Sequence, residues 1–437
     1  MLKAGLLGGK LGHSLSPQIH EAYGRFTGQE IRYALHETDL PGLETLLTRL
    51  REDGYTGVNV TIPYKKAIIP LLDEISPEAA TIGAVNTVCF RQGRSVGYNT
   101  DYFGLKSLLE SSNIGLRGQS VAILGGGGAA RCAFALAHDL GAKQVAVISR
   151  DPKNSDPALK AVGYDALDEM DAIGVLVNTT PAGMQPDIDS CPVGNDIIQK
   201  CGAIADLIYN PPETLLLQKA GTLKKRCAGG LWMLCAQAVK AEEIWTGKPF
   251  DETVCGRIHA MTAEMLRTNI ALIGMPGSGK SALGRRLAEK LGMSFMDTDA
   301  EIEQRHGVIK DIFAAQGEAA FRAMELEAAQ HAARRVHAVI STGGGVVQTA
   351  AAMQTLKTSG IAVYIDRPLA LLLHETETAH RPLLSGGREA LIGLYDKRRA
   401  LYEEYADIRV INGADLESCV DAVIKMLEEY KNETAGY

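Results

Sequence analysis

The chain has no surplus of positive charge: 45 lysines and arginines stand against 52 aspartates and glutamates over 437 residues, a formal charge of -7. That balance argues against a surface built to neutralise nucleic-acid phosphates or to sit on anionic lipid. Small anions must instead be held by local arginines and lysines. The eight cysteines include no C-x-x-C pair, and Cys89, Cys132 and Cys235 fall in apolar stretches where a free thiol behaves as a small hydrophobe. This favours a reducing compartment and no structural zinc. No uninterrupted apolar run approaches the roughly 20 residues that span a bilayer, and residues 1–11 are too short and too glycine-broken for a secretory signal. The expectation is a soluble, cytoplasmic protein with no membrane or nucleic-acid partner. A Pro/Gly/Ser-rich linker is missing too: the helix-like stretch 254–266 is followed almost at once by the apolar run Asn269–Ile273, which puts a domain boundary near Arg267.

At about 150 residues per domain, the length suits about three folding units, and 46% hydrophobic content lets each bury a core. Residues 274–281 read G-M-P-G-S-G-K-S directly after the apolar run 270–273. A buried strand that empties into such a turn is a phosphate-binding loop. Gly274, Gly277 and Gly279 let the backbone curl with Ser278 inside it, its N–H groups facing inward. Lys280 brings a positive charge and Ser281 a hydroxyl for Mg²⁺. The chemistry is binding of ATP or GTP.

A second glycine turn lies upstream. The strand Ser120–Leu124 enters Gly125-Gly126-Gly127-Gly128-Ala129-Ala130-Arg131, which fits G-x-G-x-x-[GA] at Gly125, Gly127 and Ala130 and continues as a helix through Leu140. With Gln144–Ile148 as the next strand, this is a βα unit of the Rossmann kind, with a pyrophosphate expected at the helix N-terminus. Ser149 and Arg150 stand where NAD-binding chains commonly carry an acid, and an arginine there accommodates a 2′-phosphate, pointing to NADP. Asp151 sits close enough to repel that phosphate in part.

The first hundred residues open with a strand over 3–7 and a helix started by Pro17 that holds Ile19, His20 and Tyr23. Ser14 and Ser16, just before that helix, can hold a carboxylate or serve as caps. A strand over 57–62 carries Asn59 and Thr61 on one face and runs into Pro63-Tyr64-Lys65-Lys66. Polar clusters follow at Gly83-Ala84-Val85-Asn86-Thr87 and Gly97-Tyr98-Asn99-Thr100-Asp101. Taken in order, S-x-S-P-x-I-H, N-V-T-I-P-Y-K, G-A-V-N-T and G-x-N-T-D resemble the shikimate dehydrogenase family. The resemblance implies that Ser14 and Ser16 take the substrate carboxylate, that Asn59, Thr61, Asn86, Asp101 and Gln237 surround the ring hydroxyls, and that Lys65 and Asp101 are the catalytic pair. Reduction of a ketone puts negative charge on its oxygen, and a positioned ammonium can stabilise that charge and deliver the proton. The stretches 178–184 and 206–211 also match the family, which implies Tyr209 near substrate and Thr179 and Gly230 near the cofactor. Residues 230–237 read as a buried helix in which Gln237 is the exception. The family's usual N-R-[ST] is altered here by Ser149 and Asp151.

Beyond the phosphate loop, Leu283, Leu287 and Leu291 repeat at i+4 as core positions, and residues 295–299 read as a short strand with Asp297 and Asp299 on one face. Further on come G-E-A-A-F-R-A-M-E at 317–325, a strand over 337–341 leading to Gly343-Gly344-Gly345, Arg381-Pro382-Leu383-Leu384, and Arg398-Arg399-Ala400-Leu401-Tyr402. Over residues 268–437 these resemble shikimate kinase. That resemblance implies Mg²⁺ on Ser281 and Asp297, Asp299 on the acceptor hydroxyl, backbone contacts from Gly343, Gly344 and Gly345, and Arg322 and Arg398 clamping the substrate carboxylate. Arg381 lies in the glycine-bearing segment 374–388, which reads as a lid whose charge meets the transferring phosphoryl group. His374 replaces the usual arginine that stacks on adenine.

The expected fold class is α/β throughout: an α/β substrate domain over 1–100 completed by 231–266, a Rossmann NADP-binding domain over 101–230, and a P-loop kinase domain with a parallel sheet over 268–437. The expected function is NADPH-dependent reduction of 3-dehydroshikimate to shikimate, then ATP- and Mg²⁺-dependent phosphorylation of shikimate. The alternatives are a quinate- or NAD-using dehydrogenase in the first half, or a ligand-sensing regulator built from such domains. Lys65, Asp101, Lys280, Asp297 and Asp299 argue against the regulator.

Overall fold

The computed structural model describes residues 1–12, 14–376, 387–413 and 415–435. The chain divides into two compact units, one comprising Met1–Tyr209 and Thr214–Thr262, the other Asn210–Glu213 and Ala263–Tyr437. Among the described residues no helix is long and apolar enough to cross a membrane.

The first unit holds two sheets. One is mixed, with strands β1 (Leu2–Gly8), β2 (Ile31–Glu37), β3 (Gly57–Val60), β4 (Glu74–Ile75), β5 (Thr87–Arg91) and β6 (Arg94–Tyr98) in the order β2-β1-β3-β5-β6-β4. Its β1 pairs parallel with β2 and β3, while β5 runs antiparallel to β3 and β6. Leu43, Leu46, Leu47 and Leu50 repeat along the helix Leu43–Glu52 and pack with Val58, Val60 and Ile68. The helix Leu231–Thr246 adds Ala241 and Trp245 to a cluster with Leu2, Ala4 and Leu6.

The other sheet is wholly parallel: β7 (Ser120–Leu124), β8 (Gln144–Ile148), β9 (Ile173–Asn178), β10 (Cys201–Asp206) and β11 (Arg226–Gly229), in the order β11-β10-β9-β7-β8. Strands such as Val121-Ala122-Ile123-Leu124 are apolar without alternation because separate clusters of buried side chains cover both faces. The chain reverses its direction of winding between β7 and β9, and the crevice at the carboxyl ends there is where ligands of such sheets bind.

The second unit contains one parallel sheet, β12 (Asn269–Ile273), β13 (Ser294–Asp297), β14 (Ala338–Ser341), β15 (Gly360–Asp366) and β16 (Ile408–Ile411), ordered β13-β14-β12-β15-β16. Its two faces are covered by clusters around Met353, Leu391 and Tyr402 and around Leu283, Leu287 and Val423. Leu291, expected in the core, is 38% exposed, as the last residue of the helix Lys280–Leu291, which ends at left-handed Gly292. Arg267 is part of this unit rather than a neutral boundary: its guanidinium bonds Gly360 O at 3.0 Å, Glu264 at 2.8 Å and Tyr430 at 3.0 Å, and pairs with Asp407.

Candidate active sites

In the first unit the structure brings Lys65 and Asp101 together, Nζ to Oδ2 at 2.5 Å, with side chains 30% and 24% exposed, so the pair faces solvent from one side. Its neighbours aim it. Tyr64 and Ile68 are buried, with Tyr64 OH donating to Thr38 O at 2.7 Å, and this turns Lys65 outward. Asp101 sits in the first turn of the helix Thr100–Ser111, whose cap Asn99 accepts from Tyr102 N and donates to Ala84 O at 2.9 Å. The fully buried Cys132 thiol is pushed well up by burial first and by the Asp101 charge second, with Lys65 opposing. It is inert beside the pair.

The remaining polar residues of this region form one connected set. Asn59 accepts from Tyr33 OH at 2.8 Å and donates to Thr87 Oγ1 at 3.0 Å. Asn86 Oδ1 accepts from Thr100 N at 2.7 Å, and Thr100 Oγ1 donates to Gln237 Oε1 at 3.3 Å. Ser14 and Ser16 stand hydroxyl to hydroxyl at 3.1 Å. The cap position of their helix is Leu15, which makes no side-chain cap bond, although Ser14 Oγ accepts from Ser16 N at 3.2 Å. Thr61 follows β3, which ends at Val60, and its N–H donates to Leu7 O at 2.9 Å. Tyr209 is half-buried, and burial raises its phenol.

The glycine turn begins where Gly125 N donates to Ile148 O at 2.8 Å and Thr179 Oγ1 donates to Leu124 O at 2.6 Å. Gly127 caps the helix Gly128–Asp139 with no side chain to do so, and a Cβ on Gly127 or Gly128 would meet nothing within 4 Å. Ala129 is exposed beside them and Ala130 is buried in the core. The uncapped, uncovered helix start is a cradle that fits a diphosphate. Ser149 and Arg150 lie just past β8, and the Arg150 guanidinium makes no ion pair among the described residues. The Asp151 carboxylate is turned to Asn154, with contacts of 2.5 Å from Nδ2 and 3.3 Å from the backbone N–H, so it is directed into its own turn. Gly230 has a structural duty: a Cβ there would run into the backbone of Leu207. Across this region Asp156 accepts from Lys66 Nζ at 3.1 Å and from Arg131 Nη1 at 2.8 Å. Burial would raise the Asp156 carboxyl, but bonds from Ala158 N–H, Lys66 and Arg131 hold it below its ordinary value.

In the second unit β12 delivers the loop 274–279. Gly279 caps the next helix at φ +87°, where a side chain is strained, and a Cβ on Gly274 would lie 2.6 Å from Ile365 O. Lys280 is buried and donates to Gly274 O at 2.9 Å and Met275 O at 3.0 Å. Gly277 completes the turn at positive φ, and Ser278 Oγ is buried with no partner among the described residues. Ser281 Oγ donates to Asp297 Oδ2 at 2.6 Å, which places two hard oxygen donors together and suits Mg²⁺ shared with phosphates. Asp299 is raised, by burial first and by the Asp297 and Glu303 charges, with Lys280 opposing, and its Oδ1 has no partner among the described residues. Arg322 and Arg398 both donate to Gln348 Oε1, at 2.9 and 2.8 Å, and Arg398 also holds Gly344 O at 3.0 Å. A Cβ on Gly343, Gly344 or Gly345 would overlap Asp299, Pro276 or Arg322 respectively, so the three glycines admit those side chains.

One sequence expectation changes here. Asp299 is not on a strand: β13 ends at Asp297, which caps the helix Thr298–His306 by accepting from Asp299 N at 3.1 Å and Ala300 N at 3.3 Å. An acid followed by a further acid in the next turn is a helix start, a signal the sequence carried. Arg381 lies outside the described residues, while His374 is exposed on the helix Leu369–Thr376. Sequence reasoning missed Gln348, Glu325 and Asn412. Glu325 is buried against Arg322 at 2.8 Å, and Asn412 Nδ2 holds Ser278 O at 2.8 Å.

A lysine–carboxylate pair beside a dinucleotide-type sheet, and a glycine loop with its lysine beside a second parallel sheet, define a two-centre α/β enzyme. Residues 6–88 match the shikimate dehydrogenase substrate binding domain, and residues 276–428 match shikimate kinase. The NADP(+) shikimate dehydrogenase of Clostridium perfringens is 41% identical over 254 residues, covering 57% of this chain and 94% of that protein. Its counterpart from Methanothermobacter thermautotrophicus is 40% identical over 259 residues, covering 56% and 90%. Among solved structures, the chorismate mutase/shikimate 5-dehydrogenase fusion of Clostridium acetobutylicum superposes with a TM-score of 0.59 at 35% identity, covering 61% of this chain and 98% of that one. The Thermus thermophilus enzyme in complex with NADP(H) and shikimate gives 0.55 at 34%, covering 60% and 99%. The chain belongs to the shikimate dehydrogenase family, fused to a shikimate kinase domain.

Proposed function

We propose that the chain carries out two consecutive steps, reduction of 3-dehydroshikimate to shikimate with NADPH and transfer of the ATP γ-phosphoryl group to the hydroxyl so made. The observation that carries the reading is the 2.5 Å Lys65–Asp101 pair set among Asn59, Asn86, Thr100 and Gln237, in the same chain as Lys280, Asp297 and Asp299. In this reading residues 1–100 with 231–266 bind the acid, 101–230 bind the dinucleotide, and 268–437 form the kinase. Bound NADPH supplies the hydride. Lys65 stabilises the charge that develops on the carbonyl oxygen and gives it a proton, while Asp101 orients the ammonium. Ser14 and Ser16 receive the carboxylate. Thr61 and Tyr209 contribute at the ring, and Thr179 lines the cofactor turn with Gly125, Gly127 and Gly128.

In the kinase, Ser281 and Asp297 would hold Mg²⁺, which neutralises phosphate charge when bound. Lys280 balances the phosphates cradled by the loop. Asp299, its carboxyl raised by burial with Lys280 opposing, accepts the proton of the attacking hydroxyl, and Arg322 and Arg398, aligned by their shared acceptor Gln348, take the carboxylate. Arg381 is assigned to the transferring phosphoryl group. The test supplies 3-dehydroshikimate, NADPH and ATP–Mg²⁺ to the intact chain and follows NADPH absorbance and shikimate 3-phosphate together. Oxidation of NADPH without phosphate ester, when supplied shikimate also goes unphosphorylated, would sink the second half of the reading.

A further inference from the structure

We propose that the buried pair His20–Glu242 is a positioning element of the dehydrogenase site, holding the Tyr33 ring so that its hydroxyl stays between Ser16 and Asn59. The inference rests on the reading of those two residues as substrate-binding. His20 lies one turn beyond Ser16 on the helix Ser16–Thr27, and Glu242 lies on the helix Leu231–Thr246, five residues after Gln237. They meet at 2.6 Å, Nδ1 to Oε1, with side-chain exposures of 1% and 0%.

Burying two ionisable groups costs desolvation that a pair of apolar side chains of the same volume would not incur. Packing alone therefore does not call for them. What the pair adds is direction. The His20 ring stacks on Tyr33 with centroids 4.2 Å apart and planes 7° from parallel, and Trp245 lies 5.4 Å from His20. Glu242 Oε2 is buried with no hydrogen-bond partner among the described residues, so His20 is the group that orients the carboxylate.

From the stacked ring a chain of bonds runs into the site. Burial lifts the Tyr33 phenol well above its ordinary value, against a lowering hydrogen bond with Ser16, so the hydroxyl stays a donor. It donates to Asn59 Oδ1 at 2.8 Å and thereby fixes which end of that amide points where. Asn59 Nδ2 then meets Thr87 Oγ1, Thr87 donates to Asn86 Oδ1 at 3.2 Å, and Asn86 is bonded to Thr100, the neighbour of Asp101. The same His20–Glu242 bond ties the helix that begins at Ser16 to the helix that carries Gln237.

The test uses the intact chain and the variants Glu242→Gln, Glu242→Met and the double variant His20→Phe with Glu242→Leu. Both tryptophans, Trp232 and Trp245, lie within Thr214–Thr262, so fluorescence titration with shikimate reads the dehydrogenase site without the kinase. Removing the pair is expected to leave the thermal midpoint at or above that of the parent. It should raise both the KM and the Kd for shikimate by about tenfold, change kcat by less than about threefold, and leave the KM for NADP⁺ unaltered. Glu242→Gln, which keeps the hydrogen bond, is expected within about threefold of the parent. A folded double variant with parental KM and Kd for shikimate would overturn the proposal. If it does not fold, Glu242→Met decides on the same criterion. A parent chain that binds shikimate but does not oxidise it with NADP⁺ counts against the proposed reaction alone, and the titration still decides the positioning role. A parent that does not bind shikimate at this site overturns both.

Discussion

The two glycine turns solve different problems with the same residue. At Gly127 and Gly128 the backbone is uncovered, and the helix starts there without a side-chain cap. At 274–279 the loop folds around its own buried Lys280, whose ammonium already bonds two loop carbonyls, and Asn412 ties the loop at Ser278. A dinucleotide that only needs to be held is served by dipoles and space. Transfer of a phosphoryl group needs a positive charge at the bond that breaks, and a loop stiff enough to hold that charge in place.

The largest expected effects would separate the two centres outright. Lys65→Ala should lower dehydrogenase kcat by about 10²–10⁴ while kinase turnover on supplied shikimate stays at the parental rate, and Lys280→Ala should do the reverse. Parallel loss in either variant would break the comparison. Next in size is the cofactor preference: Arg150→Ala should raise the KM for NADPH about 10–100-fold and leave that for NADH nearly unchanged, measured by initial rates with each. A smaller difference separates the turns themselves. Gly279→Ala places a side chain at φ +87° and should cost about 1–2 kcal/mol, read as a lowered midpoint together with lost kinase activity. Gly127→Ala, in extended backbone, should raise the KM for NADPH without moving the midpoint. Smaller again, Gln348→Leu should raise the kinase KM for shikimate by about 2–10-fold, since both arginines lose their common acceptor. Smallest is the effect of pH. Asp299 must be ionised to take a proton, and its carboxyl lies above the ordinary value, so kinase activity should fall with acid before an unperturbed carboxylate would titrate. Because Glu303 contributes to that rise, Glu303→Gln should move the acid limb to lower pH, and a limb that moves upward or stays fixed removes Glu303 from the account.

Both glycine turns were legible because each depends on residues adjacent in sequence, a strand, a turn that needs glycine and a helix start, whereas the pairing of Lys65 with Asp101 across 36 residues came only with the resemblance to shikimate dehydrogenase. The strands β7, β8 and β12 fall where their apolar runs lie. What escaped depends on partners far along the chain. Gln348 meets Arg398 across 50 residues and Asn412 meets Ser278 across 134, and nothing local marks either. Asp299 was placed on a strand because Asp297 and Asp299 share a two-residue spacing, whereas the first of them is a cap and the second is already helical. Nor does sequence position show that the Asp151 carboxylate accepts from Asn154 within its own turn.

Lys65 and Lys66 are consecutive, yet one meets Asp101 and the other meets Asp156, which also receives Arg131 from the dinucleotide-binding helix. The residue assigned to proton delivery is therefore joined by a single peptide unit to the residue that links its turn to the neighbouring sheet. The ion pair that holds this turn and the ion pair that aims the ammonium thus sit on adjacent residues. The link is also unequal in its exposure: the Lys66 side chain is 61% exposed and Arg131 only 20%. With a Debye length of about 8 Å at physiological ionic strength, salt loosens the Lys66 end first. The tie that holds the turn carrying Lys65 is therefore anchored at its Arg131 end and salt-sensitive at its Lys66 end.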